Sequence, residues 1–123
     1  GGFEELLSSG YSFVSYPLRI VIRLYPRGEK DFPARIAVSV SKKRFKRAVK
    51  RNRVKRLIRE AYRLNKNSLY SCIPGDKTMD ILFIYLHNEI AEFGKIEKAI
   101  TGAIKKIVVY IEKDRGRDIA DTH

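Results

Sequence analysis

A chain of 123 residues with 44% hydrophobic and 11% aromatic content is long enough for one domain core and too apolar for a disordered basic tail. Its formal net charge of +12 lies wholly in residues 42–66, where 13 of the 26 Lys and Arg meet one acid, Glu60, and the remainder of the chain is neutral. A neutral protein carrying one such segment is suited to holding a polyanion, and no apolar run approaches the roughly 20 residues that a bilayer span requires.

The chain begins Gly1-Gly2 with no Met and no signal-like stretch, which reads as a trimmed or engineered start. Phe3 to Gly10 reads as the last turns of a helix: Phe3, Leu6 and Leu7 share a face, and Gly10 suits the C-terminal cap. Tyr11 to Tyr16 reads as an aromatic-rich connection. From Pro17 the period becomes two, with Leu18, Ile20, Ile22 and Leu24 on one side and Arg19, Val21, Arg23 and Tyr25 on the other. Pro26 to Pro33 is turn-rich and leads to a second alternating strand. There Ile36, Val38 and Val40 face the core, and Arg35, Ala37, Ser39 and Ser41 face away. The alternation predicts that the two strands are antiparallel neighbours, with small residues beside arginines leaving room for a ligand on their second face.

From about residue 48 the basic segment turns helical. Val54, Leu57, Ile58, Ala61 and Tyr62 form its apolar stripe, and Asn52, Lys55, Arg56, Arg59, Arg63 and Lys66 lie opposite within about 100° of arc. Met79 to Leu86 is apolar on both faces, as a central strand requires. Phe93, Ile96, Ile100, Ala103, Ile104, Ile107 and Ile111 mark a long amphipathic helix. This organisation reads as a single domain over residues 1–113 and a charged, frayed tail over 114–123. The lone cysteine, Cys72, cannot form an internal disulfide; it reads as a buried small apolar residue and fits a reducing cytoplasm.

A mixed-sign basic helix is usually a solvated face. Here Asn52 and five bases share a face without an acid, although like charges at i,i+4 repel by roughly 0.2–0.5 kcal/mol per pair. A polyanion that neutralises the face accounts for this arrangement. Anionic lipid calls for a broader, bulkier apolar side than this narrow stripe. DNA recognition by a helix-turn-helix calls for a short helix and tight turn before the basic helix, and two strands stand there instead. RNA, read by shape with Arg forks and an Asn amide, fits. Catalytic and metal residues are assigned to none. His87-Asn88-Glu89 reads as a helix-initiating turn, Asp76 and Asp80 as turn and edge chemistry, and no paired carboxylates, metal spacing or phosphate-cradling Gly loop occur.

Arg35-Ile-Ala-Val-Ser-Val-Ser-Lys-Lys43, followed by Ala48-Val49, Arg51-Asn52-Arg53, Lys55-Arg56 and Arg59-Glu60-Ala61, resembles the protein subunit of bacterial ribonuclease P. The close match covers about 30 residues, and the order of elements extends it over nearly the whole chain. The resemblance implies an α+β fold: an α/β sandwich on a small, mostly antiparallel sheet with a left-handed βαβ crossover, shared with one domain of a small-subunit ribosomal protein. An N-terminal helix, a basic central helix and a long C-terminal helix complete it. It also implies that the protein is the partner of a catalytic RNA that removes the 5′ leader of precursor tRNA. The RNA, with Mg²⁺ expected in the RNA-containing holoenzyme, performs the chemistry in the cytoplasm, one protein to one RNA, with no cofactor assigned to the protein and no membrane.

By the same resemblance Lys42, Lys43, Arg51, Asn52, Arg53, Lys55, Arg56, Arg59 and Arg63 contact the RNA subunit. The resemblance also implies a leader cleft at Phe3, Leu7, Val21 and Ser39; Val21 and Ser39 fall on the strand face already singled out by its alternation, where Arg19 and Arg23 are expected as phosphate partners. Arg44-Phe45-Lys46-Arg47 departs from the family's usual Gly and Asn after the double Lys. Leu7 and Val21 are aliphatic where aromatics are common, and Leu86-His87 stands where an Arg is often found. The alternatives are a structural RNA-binding protein, such as a ribosomal protein, and a protein with nuclease activity of its own.

Overall fold

Strands form where alternation or continuous apolarity is strongest in the sequence. In the computed structural model, which describes residues 10–28 and 32–121, they are β1 (Tyr11–Ser15), β2 (Leu18–Pro26), β3 (Ala34–Ser39) and β4 (Lys77–Tyr85). The helices among the described residues are α1 (Ala48–Tyr70) and α2 (Phe93–Asp121). The helix read over Phe3 to Gly10 lies, apart from Gly10 itself, outside the described residues, and Phe3 and Leu7 with it. The backbone of α2 continues through the charged segment that follows Lys113.

The sheet order is β1-β2-β4-β3, with β2 antiparallel to both neighbours and β3 parallel to β4. The chain from β3 through α1 to β4 is therefore a parallel βαβ crossover. The predicted pairing of β2 with β3 does not occur, because β4 lies between them. β4 is apolar on both faces, so it gains most from a central position; β3, with Arg35 and Ser39 on one side, tolerates an edge.

Two further readings change. Tyr11 to Ser15 is a strand rather than a connection: β1 pairs with β2 from Tyr11↔Ile22 to Ser15↔Leu18. Its own alternation places Phe13, but not Ser12 or Val14, against the core. Asp80 is not at a strand edge. It is the fourth residue of the central strand and only 5% exposed.

The main core fills the space between one sheet face and both helices. Leu18, Ile20, Ile22, Met79, Ile81, Phe83 and Tyr85 pack against Val54, Ile58, Ala61 and Tyr62 of α1 and the isoleucine stripe of α2 from Ile96 to Ile111. Each such large side chain contributes roughly 1.5–3 kcal/mol through burial. Cys72 is half-buried at the margin of this core. The opposite sheet face has a separate small cluster, Val21 and Leu82 with Ala37 and Ile84 beside them.

Candidate nucleic-acid interface

Burial of Val54, Ile58, Ala61, Tyr62 and Leu69 fixes the rotation of α1, so the opposite face must meet solvent. Asn52, Arg56, Arg59 and Arg63 are exposed there, while Lys55 is half-buried; with Glu60 they border an open groove of about 440 Å³. Lys66 sits slightly apart, its Nζ lying 5.6 Å from the centre of the Tyr70 ring. Glu60 changes the sequence picture of an acid-free face. Its carboxylate accepts from Arg63 Nη2 at 2.6 Å and from Nε at 3.1 Å, one turn along the helix. That hydrogen bond holds the exposed Glu60 carboxyl below its ordinary value and raises Arg63 in return. Arg63 therefore presents a guanidinium already half satisfied, whereas among the described residues no bond of this kind engages Arg56 or Arg59.

The helix start deepens the positive field. Its first turn contains no acid and Arg47 gives it no side-chain cap, so Lys46, Arg47 and Lys50 surround the positive end of the dipole. Lys42 and Lys43 are exposed on the preceding loop, where the Lys43 amide donates to Ser41 Oγ at 3.0 Å. Arg53 is exposed at the flank of the basic face. Arg51 is not: it is half-buried and folds back onto that loop, with Nη1 donating to the Phe45 and Lys46 carbonyls at 2.8 and 2.9 Å.

The second surface is the sheet face away from the helices. Register sets three rows across it: Arg19, Ile84 and Ser39; then Val21, Leu82 and Ala37; then Arg23, Asp80 and Arg35. Arg19 and Ser39 are exposed, and Arg19 Nε donates to Ser12 Oγ at 2.9 Å. Arg23 is half-buried and engaged. Val21 points to this same face but is only 1% exposed, so it is covered there.

Sequence reasoning missed the network in the third row. Arg35 donates to both oxygens of Asp80, Nε to Oδ1 at 3.0 Å and Nη2 to Oδ2 at 3.2 Å, while the Tyr25 hydroxyl donates to Oδ1 at 3.0 Å. The guanidinium carbon lies 5.5 Å from the Tyr25 ring centre. The bond to Asp80 raises Arg35; burial, reinforced by Asp80, raises Tyr25. A signal was present: an aspartate inside a continuous apolar strand must have partners, and flanking strands bearing arginines can supply them.

Away from both surfaces, the Tyr16 hydroxyl and His87 Nδ1 are 3.1 Å apart beside a cleft of about 680 Å³ lined also by Lys95 and Lys98. Among the described residues no three His, Cys, Asp or Glu side chains gather in a way that could hold a metal ion. No helix of the described residues is long and apolar enough to cross a membrane.

The sequence and the fold resemble those of known proteins. The family model described as Ribonuclease P matches residues 2–108. The ribonuclease P protein component of Porphyromonas gingivalis is 43% identical over 105 residues, covering 85% of this chain and 76% of that one. That of Clostridioides difficile is 38% identical over 110 residues, covering 89% and 88%. The solved ribonuclease P protein of Thermotoga maritima superimposes with a TM-score of 0.64 at 25% identity, covering 85% of this chain and 89% of that one. With its mixed α+β sheet and its basic crossover helix, the chain belongs to the ribonuclease P protein family, whose members are subunits of an endoribonuclease that works with RNA in tRNA processing.

Proposed function

We propose that this chain binds a catalytic ribonuclease P RNA through α1 and the loop before it, and holds the 5′ leader of precursor tRNA on the sheet face away from the helices. The observation that carries the reading is the continuity of the two surfaces. Ser39, on the sheet face, is followed within four residues by Lys42 and Lys43, and the loop they begin runs directly into the exposed bases of α1. One RNA assembly can thus engage both. The active site is assigned to the RNA, where bound Mg²⁺ supplies Lewis-acid chemistry. The chain contributes binding and orientation, as one protein per RNA, in the cytoplasm.

Reconstitution tests this. The protein added to a bacterial ribonuclease P RNA should restore precursor-tRNA cleavage at low Mg²⁺. No restoration would overturn the proposal, and cleavage by the protein with all RNA removed would move the active site into the chain.

A further inference from the structure

Arg51 belongs to the Arg51-Asn52-Arg53 motif, yet its geometry differs from that of its neighbours. It is the fourth residue of α1, and a long side chain there leans toward the helix N-terminus and the preceding loop. Both hydrogens of Nη1 are committed to the carbonyls of Phe45 and Lys46, the last two acceptors before the cap residue Arg47. The loop is held from other directions too. The amides of Arg44 and Phe45 both donate to the Ser41 carbonyl, at 3.1 and 3.2 Å. The Phe45 ring is 6% exposed and lies 6.1 Å from the ring of Tyr85.

We propose that Arg51 is a positioning residue: it braces the loop over residues 41–47 so that Lys46 and Arg47 meet RNA phosphates in a fixed array. A flexible loop carrying several like charges would spread apart, and ordering it on binding would subtract from affinity. A guanidinium closing two carbonyls does that ordering in advance. This differs from the role the motif alone suggests, in which Arg51 grips phosphate itself as Arg53 is placed to do. The inference rests on the reading that the loop faces RNA.

Two measurements decide it. In the free protein, Arg51→Ala should speed hydrogen exchange of the Arg44 and Phe45 amides by at least about tenfold, since charge-assisted bonds that close the loop are gone. In binding to a bacterial ribonuclease P RNA, Arg51→Ala should weaken affinity in the wild-type background. It should do so by less than about twofold where Lys46→Ala and Arg47→Ala are already present, because contacts acting as one unit are not additive. Arg53→Ala should weaken binding by the same factor in both backgrounds. Arg51→Lys keeps the charge without the planar donor and should resemble Arg51→Ala in both assays; it also serves if Arg51→Ala fails to fold. Unchanged exchange, equal factors in both backgrounds, or full recovery by lysine would each overturn the brace. A chain that bound no such RNA would overturn the proposed function, while the exchange measurement would still decide the brace.

Discussion

The bases of α1 and those of the sheet face are organised in opposite ways. On α1, Arg56 and Arg59 project from a helix into solvent, and among the described residues their row is interrupted only by the Glu60–Arg63 pair. On the sheet, Arg19 is tied to Ser12, and Arg35 is held at both oxygens of a carboxylate that is itself almost fully buried. The first arrangement maximises charge density and leaves side chains free to follow the backbone of a large polyanion. The second spends charge on fixing a few groups in place. On the proposed function, affinity for a bulky RNA and placement of a single strand would call for these two different surfaces.

The comparison breaks most visibly with salt. If α1 and its loop neutralise about 6–10 phosphates, affinity for the RNA subunit should fall about 10³–10⁵-fold between 50 and 200 mM salt. Filter binding across that range would measure it. A response that is flat, or one that steepens equally with single-stranded leader alone, would dissolve the distinction between the surfaces.

A smaller effect is expected from the third row of the sheet. Arg35→Ala takes two donors from the Asp80 carboxylate in the central strand while the Tyr25 hydroxyl still donates to it, and should destabilise the protein by roughly 1–3 kcal/mol, the lower half of that range being favoured because Arg35 is 52% exposed. Removing the exposed Glu60–Arg63 pair should change stability far less. Urea midpoints for Arg35→Ala and Glu60→Ala compare the two directly, and equal shifts would mean that burial of Asp80 does not matter.

What the sequence made legible follows from the kind of signal each element carries. Helical periods survive reading residue by residue, so the apolar stripe of α1 and the isoleucines of α2 lie where spacing predicts. Strand order does not, because no local pattern says which strands pair; β4 between β2 and β3 is decided by competition for the centre of the sheet. Partnership is equally non-local. Arg51 and Arg53 are indistinguishable in the sequence, yet one folds onto backbone carbonyls and the other reaches solvent. Val21 alternates correctly onto the second face but is covered there, so Val21→Asp probes stability rather than leader binding.

Arg19 is the better probe of the sheet face, being exposed and oriented by Ser12. Arg19→Ala should weaken leader-dependent substrate affinity by roughly tenfold or less, the range of one partly solvated charge-assisted contact, and leave affinity for the RNA subunit unchanged. Arg59→Ala should do the reverse. Binding of precursor tRNA with and without its leader, compared with binding of the RNA subunit, separates them; identical profiles would merge the two surfaces into one.

The smallest expected effect concerns the join between α1 and the sheet. Tyr62 packs edge-on to Phe83 at 5.9 Å, and among the described residues its buried hydroxyl makes no well-formed hydrogen bond, although the Tyr70 side chain is close to it. Burial above all, reinforced by the neighbouring Tyr70, pushes its ionisation well above the ordinary tyrosine range. The folded protein therefore keeps the Tyr62 proton after the unfolded chain has lost it, and stability should fall as pH rises past about 10, the unfolded value. Below that pH both states carry the proton and Tyr62 adds no pH dependence. Tyr62→Phe removes the unpaired hydroxyl while keeping the ring, so it should raise stability at neutral pH by roughly 1 kcal/mol and flatten the loss above pH 10. Thermal midpoints of both proteins from pH 7 to 11 give the answer. A destabilised Tyr62→Phe at pH 7 would show that the hydroxyl has a partner in solution, and the underside of α1 would then be held by polar bonds as well as by packing.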